Sequence, residues 1–250
     1  MSNTITQQSV NRSAAAEFDR LYTSLRRKEG RMYSDEELTL LPVINETHPY
    51  ISEWRTRRNS CRALLSYIKQ RSNILSIMEV GCGNGWLSAR MANQVDAEVT
   101  GLDINTAELE QARRVFKKIP GLRFINGTIN TEELADKKFD LILFAASIQY
   151  FQSLPGIINT CFEHLTLQGE IHIMDSPFYT GNEKEAARQR TADHYKKMGF
   201  PEMAAHYFHH SISDLDDFQY KILHHPHSWK NKLSIKKNPF YWIAIKNRYS

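Results

Sequence analysis

Between Ile74 and Asp175, short apolar runs alternate with amphipathic stretches of helical spacing, and few folds accommodate that rhythm. Strand-like runs lie at Ile74–Val80, Glu98–Asp103, Leu122–Ile125, Phe139–Phe144 and Glu170–Asp175. Helical stretches fall between them, one starting near Leu87, one over Thr106–Lys118 and one from about Pro155 to Leu165. In the second, Leu109, Ala112, Val115 and Phe116 share a face, and Asn105 or Thr106 can cap its start. Strands joined by helices predict a parallel sheet covered on both faces. Two later runs, Phe218–Leu223 and Phe240–Ile245, are joined without a helical crossover and predict an antiparallel pair at the sheet's end. The expectation is an α/β sheet of seven strands, the last antiparallel.

Residues upstream of about 71 lack strand-like runs and carry helical spacing, as in Phe18, Leu21, Tyr22 and Leu25. Prolines at 42 and 49 separate this part from a longer helix over Ile51–Gln70. The expected organisation is a disordered tail (1–14), a helical extension or lid (15–71) and a sheet domain (72–250) with an insertion at about 176–217, helical near Glu183–Met198. A chain of 250 residues that is 41% hydrophobic suits one core with an appendage. Its start lacks the basic and apolar runs of a signal peptide, and Leu141–Ile148 is far short of the ~20 residues that cross a bilayer. Cys61, Cys82 and Cys161 form no C-x-x-C pair, which points to a reducing cytoplasm. A net charge of +4 is mild for a DNA-binding protein, and a monomer or homodimer is expected.

The first strand runs into Glu79-Val80-Gly81-Cys82-Gly83-Asn84-Gly85-Trp86 and then a helix. Glycines there let a ligand approach the backbone closely at the carboxyl edge of the sheet. The G-x-G-x-G spacing is one residue shorter than the dinucleotide fingerprint G-x-G-x-x-G. The acid before the loop opposes a pyrophosphate but suits a cofactor carrying an amino group and a sulfonium, such as S-adenosylmethionine. The second strand ends in Asp103, whose carboxylate can accept from ribose hydroxyls, with Ile104 beside it for a base.

On these residues, the stretch from about Ile74 to Asp175 resembles the class I S-adenosylmethionine-dependent methyltransferases, whose sheet is Rossmann-like. It is similar in particular to the bacterial small-molecule branch related to ubiquinone and menaquinone methyltransferases. The resemblance implies that Glu79, Gly81, Cys82, Gly83, Asn84 and Gly85 surround the methionine moiety, that Asp103 and Ile104 hold ribose and adenine, and that the product is S-adenosylhomocysteine. An aspartate commonly follows the glycine after strand three in that family, whereas here Gly127 precedes Thr128 and Ile129. After strand four, Ala145, Ser147 and Tyr150 fall where the family places residues against methionine and acceptor. No N/D-P-P-Y-like turn stands there and no cysteine follows a proline, so the amino-group and cytosine-C5 branches are not matched.

Further candidates carry alternative readings. Arg58 lies inside the apolar stripe of Trp54, Cys61, Leu65 and Ile68; it either meets the cofactor carboxylate or an acidic acceptor or, the plainer reading, forms an internal salt bridge or snorkels. If 203–210 is helical, His206 and His210 share a face as a metal pair, though no third ligand stands at an obvious spacing. His209 or His210 as a general base competes with ordinary hydrogen-bonded histidines. Tyr33, Tyr50, Tyr150, Tyr179 and Tyr207 fall in the extension or beyond strand ends and are candidates to line an acceptor pocket. The favoured function is methyl transfer to a small-molecule acceptor; rivals are a nicotinamide oxidoreductase, an RNA methyltransferase and a noncatalytic binding protein.

Overall fold

A computed structural model describes residues 17–233 and 237–247, so the tail expected over 1–14 lies outside the described residues. The elements in order are α1 (17–28), α2 (Asp35–Leu40), α3 (Ile51–Lys69), β1 (Ser76–Val80), α4 (Trp86–Gln94), β2 (Glu98–Asp103), α5 (Thr106–Val115) and β3 (Leu122–Asn126). They continue with β4 (Phe139–Ala145), α6 (Leu154–Phe162), β5 (Leu165–Met174), α7 (Gly181–Met198), β6 (Tyr220–His224), α8 (Trp229–Leu233) and β7 (Trp242–Lys246). The sheet order is β3-β2-β1-β4-β5-β7-β6. Strands β1 to β5 pair in parallel, and β7 runs antiparallel between β5 and β6.

Period-two alternation divides the strands between two cores. Ile77, Leu141 and Leu143 point to the face covered by α3 and α4, where Trp54, Leu64, Leu65 and Met91 pack. Met78, Val80, Ile142 and Phe144 point to the opposite face, against Ile158 and Cys161 of α6. Burial on both faces is why these strands read as continuous apolar runs. A third cluster joins Leu25 of α1 to Tyr195 of α7 and to Met203, with Phe18, Leu21, Tyr22 and Tyr207 around it. The N-terminal helix thus packs largely on the segment that follows β5.

Two sequence expectations need correction. Strand β5 begins at Leu165 rather than Glu170, because the register with β4 jumps from Leu165 to Glu170 across an irregularity that keeps the early part in the sheet. Gly169 stands inside it, where a Cβ would lie 2.9 Å from the Phe139 carbonyl oxygen. Residues 203–210 are not one helix: a 3-10 turn over Pro201–His206 is followed by extended chain, and His210 makes a parallel bridge to Phe178. No helix among the described residues is long and apolar enough to cross a membrane.

Candidate functional site

The strand order reverses between β1 and β4, the place where open α/β sheets bind ligands at their carboxyl edge. Two cavities open at that point. Past Val80 the chain turns through Gly81, Cys82, Gly83, Asn84 and Gly85 into α4, with all three glycines at positive φ (73°, 53° and 72°). The loop is pinned from two sides. The Gly81 and Cys82 N–H groups donate to the Leu102 carbonyl at 2.8 and 3.1 Å, and the Ser147 hydroxyl donates to the Val80 carbonyl at 2.6 Å. A Cβ on Gly81 would sit 2.5 Å from that of Ser147, so the close approach requires glycine.

Asp103, at the end of β2, accepts the Gly83 N–H on Oδ2 at 2.7 Å and the Asn105 N–H on Oδ1 at 2.8 Å. Burial raises its pKa while these donors lower it. Its carboxylate lines the edge cavity, about 280 Å³, together with Leu102, Ile104, Thr128, Ile129 and Phe18. That mixture of one hydrogen-bonding acid and flat apolar wall suits a sugar bearing a planar base.

The inner cavity shares Gly81, Gly83, Ala146 and Tyr22 with the edge cavity and is far more polar. Glu79 is buried in it, accepts the Ser88 hydroxyl, and is pushed up to about 8 by loss of solvent. Burial, then the negative charge of Asp103, pushes Glu108 to about 7. On the facing wall Arg31 donates to both oxygens of Glu53 at 2.9 and 2.7 Å, and Arg57 pairs with Glu53 at 2.9 Å. Burial opposes ionisation of Glu53, yet these arginines hold it at about 2. Asp175, at the end of β5, accepts the Ser60 hydroxyl at 2.5 Å. Ala146 and Asp175 are the described non-glycine residues with positive φ, and both line this cavity. Backbone strain of this kind gathers where a site is built. Acids beside guanidinium groups are chemically suited to a zwitterion.

Of the residues singled out in the sequence, Glu79, Gly81, Cys82, Gly83, Asn84, Ala145 and Tyr33 line the inner cavity. Asp103, Ile104, Thr128, Ile129, Ser147 and Tyr150 line the edge cavity. Tyr150, Tyr179 and Tyr207 line a third, the tyrosine cavity, on the other side of Tyr22. Five residues are placed elsewhere. Gly85 packs beneath α4, where a Cβ would lie 2.4 Å from the Phe124 ring, so its smallness serves the contact with β3. Arg58 lines none of these cavities, and its buried Nε has no hydrogen-bond partner; Arg57 takes the inward position. Tyr50 donates to the Glu29 carbonyl at 2.6 Å beneath the Arg31 guanidinium.

His209 and His210 line a separate groove rather than the cavities at the glycine loop. The His209 ring contacts the Thr191 hydroxyl at 3.0 Å and His210 the Ile148 carbonyl at 3.2 Å. Burial lowers the pKa of both. The His209 ring lies 5.2 Å from that of Tyr179 and 5.1 Å from that of Tyr207 between centroids, and both tyrosines line the tyrosine cavity. Sequence reasoning also missed Tyr22, Arg26, Glu53, Arg57 and Glu108. Tyr22 was legible only as part of an apolar stripe, Arg26 as part of a basic run, and Glu108 as an acid suited to a helix start.

Comparison with known proteins agrees with this geometry. Residues 77–169 match the family model described as a methyltransferase domain. The chain is 33% identical over 137 residues to malonyl-acyl-carrier-protein O-methyltransferase of Acetivibrio thermocellus, covering 54% of this chain and 48% of that protein. It is 37% identical over 107 residues to ubiquinone biosynthesis O-methyltransferase of Histophilus somni, covering 39% of this chain and 44% of that one. The chain thus spans about half the length of the curated relatives it matches. Among solved structures, the plantazolicin methyltransferase BpumL in complex with a triazolic desmethylPZN analog and SAH superposes with a TM-score of 0.56 at 18% identity, covering 94% of this chain and 99% of that one. The fold is shared with that enzyme, and residues 77–169 are similar to a methyltransferase domain and to the corresponding part of these small-molecule O-methyltransferases.

Proposed function

We propose that this protein binds S-adenosylmethionine across the edge and inner cavities and transfers its methyl group to a small-molecule acceptor. The carrying observation is that Gly81 and Gly83 belong to both cavities, with Asp103 on the apolar side and Glu79 among the charged residues. A ligand spanning them needs a hydroxylated, planar end and a zwitterionic end, which is the make-up of this cofactor. Asp103 accepts the ribose hydroxyls, and Ile104, Thr128 and Ile129 border the base. Glu79, a buried acid whose proton is held by desolvation, gains from a neighbouring cation. Arg57 and Arg31 supply donors for a carboxylate.

When bound, the cofactor supplies a methyl group activated by a positively charged sulfur. The chain's part is to align the acceptor, exclude water and keep charges in register, which can account for most of such a catalysis. Tyr22 of α1 lines all three cavities, so it stands between donor and acceptor sites and packs edge-on to Tyr150 with centroids 5.7 Å apart. With α1 and the segment after β5 packed together, the 15–71 extension and the 176–217 insertion act as one cover over the site. Two of the relatives are named for O-methylation, and O-methylation is the form we favour. The cytoplasm is the proposed location, since Cys61, Cys82 and Cys161 are all free and buried.

Isothermal calorimetry with S-adenosylmethionine, S-adenosylhomocysteine and NADH tests the reading. The first two bind and the third does not; binding of NADH alone overturns it.

A further inference from the structure

The tyrosine cavity, about 300 Å³, lies beside the donor site and shares Tyr22 and Arg26 with the inner cavity. Building on the methyltransferase reading, we infer that the acceptor is a small planar molecule bearing an anionic group, held in this cavity with the anion toward Arg190 and the reacting end toward Tyr22. Shape comes first. Tyr22 meets Tyr150 at 88° and Tyr150 meets Tyr207 at 84°, so successive rings present flat faces and edges to a ligand between them. A volume of this size is at the small end of ligand pockets.

Charge decides the class. The one carboxylate lining the cavity is Glu29, and it is already committed: Arg26 lies 3.4 Å away, Arg31 3.3 Å and His194 3.9 Å. Among the described residues no carboxylate lies within 4.0 Å of the guanidinium of Arg190, an exposed residue of α7 that lines the cavity. The lining thus holds two guanidinium groups, Arg26 and Arg190, against the single carboxylate of Glu29; the charge of Arg190 reaches Glu183 on the same helix, but the two form no contact pair. Burial raises the phenol pKa of Tyr179 and Tyr207, and their hydroxyls hydrogen-bond to each other, so the pair stays neutral with one O–H left to donate to a ligand. A hydroxyl donor beside a guanidinium with no carboxylate in contact recognises an anion, whereas an ammonium group would find no free acid.

Phenylacetate, 2-phenylethanol and 2-phenylethylamine share a ring and differ in charge, and they serve as probes by calorimetry on protein saturated with S-adenosylhomocysteine. Phenylacetate binds about tenfold more tightly than the alcohol, and the amine binds most weakly. Arg190→Ala abolishes that preference and Arg190→Lys retains part of it. Arg188→Ala, exposed on the same helix but lining the histidine groove, leaves it intact. No binding of phenylacetate, equal affinities, preference for the amine, or a preference that survives Arg190→Ala overturns the inference while the methyltransferase reading stands. Failure of S-adenosylhomocysteine to bind in the saturation step overturns that reading, and the inference with it.

Discussion

Glu79 and Asp103 are both acids at strand ends beside the glycine loop, but their partners differ. Backbone N–H groups from separate turns, those of Gly83 and Asn105 among them, hold the Asp103 carboxylate, whereas Glu79 is met by Ser88 alone, through its hydroxyl and its backbone, and has a pKa near 8. The folded value lies above the 4.5 of a free carboxyl, so the folded state keeps a proton that the unfolded chain releases between those values. Stability from this group is full below about pH 4.5 and is lost as pH rises to about 8. Glu79→Gln removes that loss: without ligand, its stability relative to wild type climbs over this window by on the order of a few kcal/mol. Chemical denaturation at a series of pH values measures it, and a flat difference shows Glu79 to be solvated. At Gly83, φ is 53° and a Cβ would lie 3.1 Å from the Glu108 carboxylate. Gly83→Val therefore loses at least about tenfold in S-adenosylhomocysteine affinity through strain and lost space. A far-UV spectrum like wild type confirms that the fold survives; undiminished affinity removes Gly83 from the site.

Helix α3 shows how far a periodic pattern reaches. Its apolar stripe of Trp54, Cys61, Leu65 and Ile68 is buried as the spacing requires. The same spacing singled out Arg58, yet Arg57 enters the cavity; neighbouring positions differ by about 100° around a helix, and only the facing elements decide which side holds the site. What orients Arg57 is Glu53 one turn back, itself held by Arg31 from beyond α1. This triad ties the N-terminal segment to α3. Glu53→Gln weakens it, costing about 1–3 kcal/mol at neutral pH by leaving two guanidinium groups without their acid. Because the folded pKa of Glu53, about 2, lies below the free value of 4.5, its stabilisation is present above about pH 4.5 and vanishes as pH falls to about 2. The mutant and wild-type denaturation midpoints should accordingly converge on acidification. A gap that persists at about pH 2 assigns the loss to packing instead.

At the scale of the whole molecule, three clusters divide the work. Two cover the faces of the sheet and one joins α1 to α7 above its carboxyl edge. The third is small, with Leu25, Tyr195 and Met203 as its buried members, and it borders the tyrosine cavity. Its scale fits an element that opens more readily than the sheet. Binding of S-adenosylhomocysteine should therefore slow hydrogen exchange not only over 79–86 but also over 17–28 and 201–210. The central strand β4 should change little. Protection confined to the glycine loop means that the cover does not close on the cofactor.

The sequence by itself determined what local chemistry can encode: the alternation that makes a two-faced parallel sheet, the acid-and-glycine turn at the end of β1, and Asp103 at the end of β2. Each lies within a few residues of its own cause, whether an apolar period, a positive φ or a carboxylate at a strand end. Which side chains meet across the site was decided only by the tertiary structure. Tyr22, Arg26 and Glu53 lie tens of residues before the loop they face, and their spacing reads as stripe or solvated surface until α1 and α3 are docked. His209 and His210 show the same limit: the extended chain after His206 carries them into a groove that shares Thr191 and Tyr207 with the tyrosine cavity, a placement no helical spacing encodes. Proximity between distant segments depends on how helices pack over the sheet, and no local pattern carries that information.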